Sequence, residues 1–171
     1  MRQSLGFSGG PQIGDKILNR HNEWEILSNL GNPLTNGVIG YIQDYVELQN
    51  IEYPGWVRKQ YGKTFNIPVF WCNMSGDEEN ESFTDLIMDS KMILEGSENL
   101  NGREKFLLSK HKLLIPLTFT YGYGITVWKA QGSQWNKVLL ISENWPTDKE
   151  LYKRYMYTGC TRAVNKLVVI T

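Results

Sequence analysis

Two apolar runs near the C-terminus constrain this chain most. Lys137-Val138-Leu139-Leu140-Ile141-Ser142 and Lys166-Leu167-Val168-Val169-Ile170 are almost unbroken aliphatic stretches. Neither alternates apolar with polar residues, so each predicts a strand buried on both faces, as in a parallel sheet. Between them, Thr147-Asp148-Lys149-Glu150 reads as a capping box. The helix it opens is predicted to run to about Ala163, with Leu151, Tyr155, Thr158 and Arg162 along one side. Strand, helix, strand in this order is a βαβ unit, which implies a parallel pair with a right-handed crossover. The fold class is therefore α/β in this part of the chain.

The region upstream reads differently. Residues 1–14 carry Gly6, Ser8, Gly9, Gly10 and Pro11 and predict a loose lead-in. Asp15–Asn19 predicts a short strand, and Asn36-Gly37 before Val38-Ile39-Gly40-Tyr41-Ile42 is a hairpin signal. Ile67–Cys72 predicts another strand, with Pro68 suggesting an edge or a strand start. Phe83–Asp89 fits strand or helix. Short strands, turn signals and aromatics together predict a small β-barrel over about 15–95. Asn101, with Glu104 three residues on, predicts a capped helix to His111.

Composition removes several classes. At 171 residues, with 41% hydrophobic and 21% charged residues, the chain is neither disordered, collagen-like nor a coiled coil. No apolar run approaches the roughly 20 residues that span a bilayer, and Met1–Gly6 does not read as a signal peptide. Cys72 and Cys160 cannot build a disulfide framework, which points to a reducing compartment. The net charge is zero and by itself points away from a nucleic-acid partner. Yet residues 116–171 hold seven bases against three acids, whereas 1–115 hold 11 against 15. Much of the acid lies in Asp77–Glu98.

Three familiar signals fail on spacing. Gly62-Lys63-Thr64 resembles the end of a phosphate-binding loop, but the first glycine of G-x-x-x-x-G-K-[ST] falls on Val57. His21 and His111 do not pair with Cys72 or Cys160 at ligand spacing, and 77–81 lacks calcium-loop spacing, so no metal site is predicted. Asn73-Met74-Ser75 and Asn80-Glu81-Ser82 match the glycosylation pattern, with nothing else indicating secretion.

The informative stretch is Tyr121–Trp135, followed after the first apolar run by Tyr157–Ala163. It predicts a helical turn ending at Gln131-Gly132, then the strand. Gly132 permits close approach of backbone to a ligand. Thr126 and Lys129 offer a hydroxyl and a cation, and Trp128 a face for an unpaired base. Arg162 can serve a phosphate bidentately or complement the helix dipole, and these residues alone leave both roles open.

Gly124-Ile125-Thr126-Val127-Trp128-Lys129-Ala130-Gln131-Gly132-Ser133-Gln134 resembles motif V of superfamily 1 DNA helicases of the RecD-like group, within their UvrD-like C-terminal domain. The family form is A-[IY]-T-[VC]-H-K-[SA]-Q-G-S-[EQ]. Met156-Tyr157-Thr158-Gly159-Cys160-Thr161-Arg162-Ala163 resembles motif VI, L-Y-[TV]-A-[LC]-T-R-A. Gly14-Asp15-Lys16-Ile17 through Asn36-Gly37-Val38-Ile39-Gly40 resembles the opening of the SH3-like barrel inserted in the second RecA-like domain of these enzymes.

The resemblance implies a lead-in over 1–14, an SH3-like β-barrel insertion over 15–100, a helical linker over 101–116 and the C-terminal part of a RecA-like parallel-sheet domain (helicase domain 2A) over 117–171. It implies an ATP-dependent enzyme that moves on single-stranded DNA, 5′ to 3′, in a bacterial or phage-infected cytoplasm. Arg162 takes the place of the arginine finger, and Gly132 and Gln134 of positions near the nucleotide. Thr126, Trp128 and Lys129 take the DNA-contacting positions, with Trp128 standing where His is usual. ATP and magnesium would be held mainly by an N-terminal RecA-like domain whose phosphate- and magnesium-binding motifs are missing here. Met1 then reads as a truncated start, and the chain alone as inactive. The alternative is a non-catalytic β-barrel module that binds nucleic acid or protein.

Overall fold

The computed structural model describes residues 2–57, 66–76, 79–142 and 148–170. They form two compact units, Met1–Tyr123 and Gly124–Thr171.

The first unit is an antiparallel sheet of five strands in the order β6-β5-β4-β1-β7. They are β1 (Lys16–Asn19), β4 (Ile39–Glu52), β5 (Asn66–Ser75), β6 (Ser82–Asp89) and β7 (Phe119–Tyr121). A separate hairpin pairs β2 (Glu23–Leu27) with β3 (Pro33–Leu34). Strand β5 shows why both faces are covered. Phe70, Cys72 and Met74 point to one core with Ile17, Phe83 and Phe119. Ile67 and Val69 point to a second core with Tyr53, Leu107 and Leu108. The period of two that sends alternate residues to opposite faces thus feeds two cores. Burial drives the Cys72 thiol up to about 12.

Two of this unit's helices follow β6. Asp89 caps α1 (Ser90–Glu95) by accepting from Met92 N. The capping box expected at Asn101 is present at the start of α2 (Gly102–Lys110): Asn101 Oδ1 accepts from Glu104 N, and Glu104 Oε2 accepts from Asn101 N at 2.8 Å.

Several expectations are corrected here. Among the described residues the barrel predicted over 15–95 is not closed by a strand ladder: beyond β6 they show only an isolated parallel bridge, Met88 to Leu117. Asn36-Gly37 does not join paired strands. Gly37, at φ 100°, donates to Asn19 O, and β4 pairs with β1 and β5 rather than β3. Strand β5 is internal, not an edge. Pro68 is tolerated because the β6 ladder ends at Val69–Asp89 and the Ser90 hydroxyl donates to Pro68 O at 2.7 Å. The lead-in is not loose: the Arg2 guanidinium bonds both Asp15 carboxylate oxygens, at 2.8 and 2.7 Å. Residues 119–121 pair with β1, and the first compact unit extends to Tyr123.

The second unit holds β8 (Trp135–Ile141), α3 (Lys149–Cys160) and β9 (Ala163–Ile170). The strands are parallel, in register Val138 to Leu167 and Leu140 to Val169. Asp148 is the N-cap, accepting from Glu150 N and Leu151 N; Thr147 lies outside the described residues. The helix ends at Cys160, short of Ala163, where Arg162 turns the chain into β9. Gly159 lets α3 approach β8: a Cβ there would lie 2.8 Å from Leu140 Cδ1. The expected burial on both strand faces is absent. In β8 only Leu140 is buried, and β9 is exposed from Val164 to Ile170. A single helix covers too little of a two-faced apolar pair.

Candidate functional site

Parallel pairing puts the starts of β8 and β9 at the same edge. The segments leading into them, 124–134 and 157–162, meet there.

The first segment is one irregular turn. Ala130 N donates to Thr126 O at 3.1 Å, and Ser133 N to Ala130 O at 3.3 Å. Helical spacing sends Val127 and Ala130 inward and leaves Thr126, Trp128 and Lys129 exposed. Thr126 Oγ1 accepts from Lys129 N at 3.4 Å, and 43% of Trp128 is open. The three candidate DNA contacts therefore share a solvent-facing turn. Gly132 ends it at φ 87°, and a Cβ there would meet nothing within 4 Å. Backbone conformation, not crowding, requires glycine here. Gln134 is exposed in the step into β8.

The second segment delivers Arg162. Its Nε donates to Thr158 O at 3.0 Å, in the last turn of α3, which realises the helix-end role. The same guanidinium crosses to the other segment: Nη1 donates to Ser133 O at 3.2 Å, and Nη2 to Thr161 Oγ1 at 3.0 Å. Backbone pairing seals the junction, with Trp135 N donating to Arg162 O at 2.9 Å. The structure thus bonds Arg162 to the carbonyl of Ser133, the residue between Gly132 and Gln134. It sets Thr126, Trp128 and Lys129 on the turn before them.

Sequence reasoning missed Ser133 and Thr161 as partners of Arg162. Thr161 was visible as a hydroxyl beside the arginine. Ser133 gave no signal, since only its carbonyl takes part and it lies 29 residues away. Among the described residues no group of His, Cys, Asp and Glu is placed to hold a metal ion. No described helix is long and apolar enough to cross a membrane.

Residues 121–170 match the UvrD-like helicase C-terminal domain. That match spans the exposed turn, both parallel strands and Arg162. Among solved structures, the chain is similar to the crystal structure of Pif1 helicase from Candida albicans, at 16% identity and a TM-score of 0.43. The alignment covers 99% of this chain and 35% of that one, so this chain spans about a third of that protein's length. No curated protein matches the chain.

Proposed function

We propose that the chain is the C-terminal portion of a superfamily 1, RecD-like DNA helicase that couples ATP hydrolysis to movement on single-stranded DNA and to unwinding. One observation carries the reading. The residues matching the helicase C-terminal domain include Arg162 hydrogen-bonded to the strand entry that follows the exposed turn. Gly124–Thr171 is then part of the second RecA-like domain. Residues 15–100, an open antiparallel sheet rather than a closed barrel, are then its insertion, and 101–116 the linker that leads to β7.

Within that enzyme Arg162 is the arginine finger, placing its charge against the γ-phosphate as bonds rearrange. Gly132 and Gln134 line the same edge. Trp128 stacks on a base while Thr126 and Lys129 meet the backbone. The donor set here fits the terminal phosphate of ATP. For the magnesium, no cluster of His, Cys, Asp and Glu stands together among the described residues. The nucleotide's remaining phosphates and the metal fall to an N-terminal RecA-like domain, and the chain by itself does not turn ATP over.

Two measurements test this. In the helicase containing this segment, Arg162→Ala should lower kcat by about 10³-fold with little change in nucleotide affinity; an unchanged kcat removes the finger role. The 171-residue chain should bind oligo(dT) with strong salt dependence, and Trp128→Ala should weaken it about tenfold. ATP turnover by this chain alone would overturn the division of labour.

A further inference from the structure

Tyr123 stands directly before the exposed turn, and its hydroxyl is unusually committed. It donates to Asp15 Oδ1 at 2.8 Å and accepts from Lys16 N at 3.2 Å. Asp15 is fully buried and is the centre of a larger cluster. Both of its oxygens take Arg2, and Oδ2 also accepts from Gln12 N at 2.8 Å. Arg2 bonds the carbonyls of Gly9 and Gly10 and lies 4.6 Å from the Tyr121 ring centroid. One residue earlier, Gly122 N donates to Lys16 O at 2.7 Å. A Cβ on Gly122 would lie 3.2 Å from the Ile17 backbone, so the chain leaves β1 at close quarters. At the other end of the turn, Ser133 O is held by Arg162. Residues 124–132 are therefore a strap whose entry, within the first unit, is held by the Asp15 cluster and whose exit, within the second, is held by Arg162.

We propose that Tyr123 is a positioning residue: through Asp15 and Arg2 it fixes the backbone at which the 124–132 strap begins. The role in DNA contact rests on the helicase reading above; the fixing of the strap does not. Tyr121 supplies the control. It stacks with Tyr123 at 6.4 Å between ring centroids, and its own buried hydroxyl has no hydrogen-bond partner among the described residues. Removing that hydroxyl leaves the anchor intact.

The test uses the whole 171-residue chain, amide hydrogen exchange and oligo(dT) binding. Tyr123→Phe should speed exchange in 124–132 about fivefold, the population change that a single hydrogen bond of ordinary strength supports. Amides of β4 should not change, oligo(dT) affinity should fall about threefold, and Tyr121→Phe should do neither. Unaltered exchange in 124–132, or a rise shared equally by β4, overturns the anchor. If Tyr123→Phe loosens 124–132 while the unaltered chain fails to bind oligo(dT), the anchor stands and the DNA reading falls.

Discussion

The two units bury their side chains in opposite ways. Met1–Tyr123 closes over two apolar cores, with Ile17, Leu34, Val57, Val69, Cys72, Met74, Met88 and Phe119 wholly inside. In Gly124–Thr171 the described residues that are buried are Val127, Ala130, Leu140 and Gly159. Its strands are at least as aliphatic, yet Leu139, Ile141, Val164, Val168 and Ile170 are 43–59% exposed. Apolar sequence is thus a demand for cover, and the first unit meets that demand from within its own fold. In the second, a ladder and one helix hold strands that a layered α/β domain would enclose on both faces. Substitutions should therefore be costly in the first unit and cheap in the second, in proportion to what each side chain touches.

The largest cost is expected at Gly40. A Cβ there would lie 1.9 Å from Ser75 O and 2.6 Å from Met74 Cγ. The first contact is backbone within the β4–β5 ladder and cannot swing aside. Gly40→Ala should lower stability by about 3 kcal/mol, the upper end for overpacking. Urea unfolding followed by far-UV circular dichroism measures it, and a loss below about 1 kcal/mol means the two strands separate more easily than their spacing implies.

Next is Asp15. Burial raises its carboxyl pKa, but the bonds from Arg2, Tyr123 and Gln12 outweigh that and hold it below its usual value. A folded-state pKa below the unfolded one means the ionised form favours folding. That contribution is complete above about pH 4, the unfolded value, and is lost as pH falls through the folded one. Asp15→Asn should cost about 2 kcal/mol at pH 7, less than a fully enclosed pair because the Arg2 side chain is 14% exposed. The Tm gap between the two proteins should hold from about pH 7 down to about pH 4 and narrow below that. A gap that ignores pH would show that packing, not charge, makes the cluster.

This cluster also marks where the sequence stopped being legible. Glycines and a proline over 1–14 describe a flexible backbone, and composition cannot reveal that one arginine fastens it to a carboxylate 13 residues on. Pro68 likewise signalled an edge or a strand start without deciding between them, because whether a missing N–H matters depends on where the neighbouring strand ends. The parallel pair and its helix were legible, since aliphatic runs and the helix-opening residues 147–150 are local, although the residue that caps is Asp148. Their exposure was not, because a run records how apolar a strand is and not what covers it. At the site, Thr126, Trp128 and Arg162 could be picked out as residue types. The bond from Arg162 to Ser133 O could not, because a carbonyl has no letter in the sequence.

A smaller effect is expected at the one tight contact that a glycine makes in the described part of the second unit. Gly159→Ala places a methyl 2.8–2.9 Å from the ends of Leu140. Those are tips of a flexible side chain on a strand with open faces, so Leu140 can turn away. The cost should be about 1 kcal/mol. Loss of the second unit's fold, seen as uniform amide exchange across 135–170, would mean that the α3–β8 contact is its principal support.

The smallest effect gives the sharpest comparison. Val69 and Val168 both lie in strands, at 0% and 43% exposure. Val69→Ala empties space in a closed core and should cost about 2 kcal/mol. Val168→Ala removes a methyl pair already largely in water and should change stability by less than about 0.5 kcal/mol. The same chemical change then separates the units, because strand propensity and residue type are matched and only the cover differs. Equal losses would mean that the face of β9 is covered in solution, by a second copy or by another protein. A concentration-dependent Tm, with a sedimentation coefficient above that of a monomer, would single out the second copy.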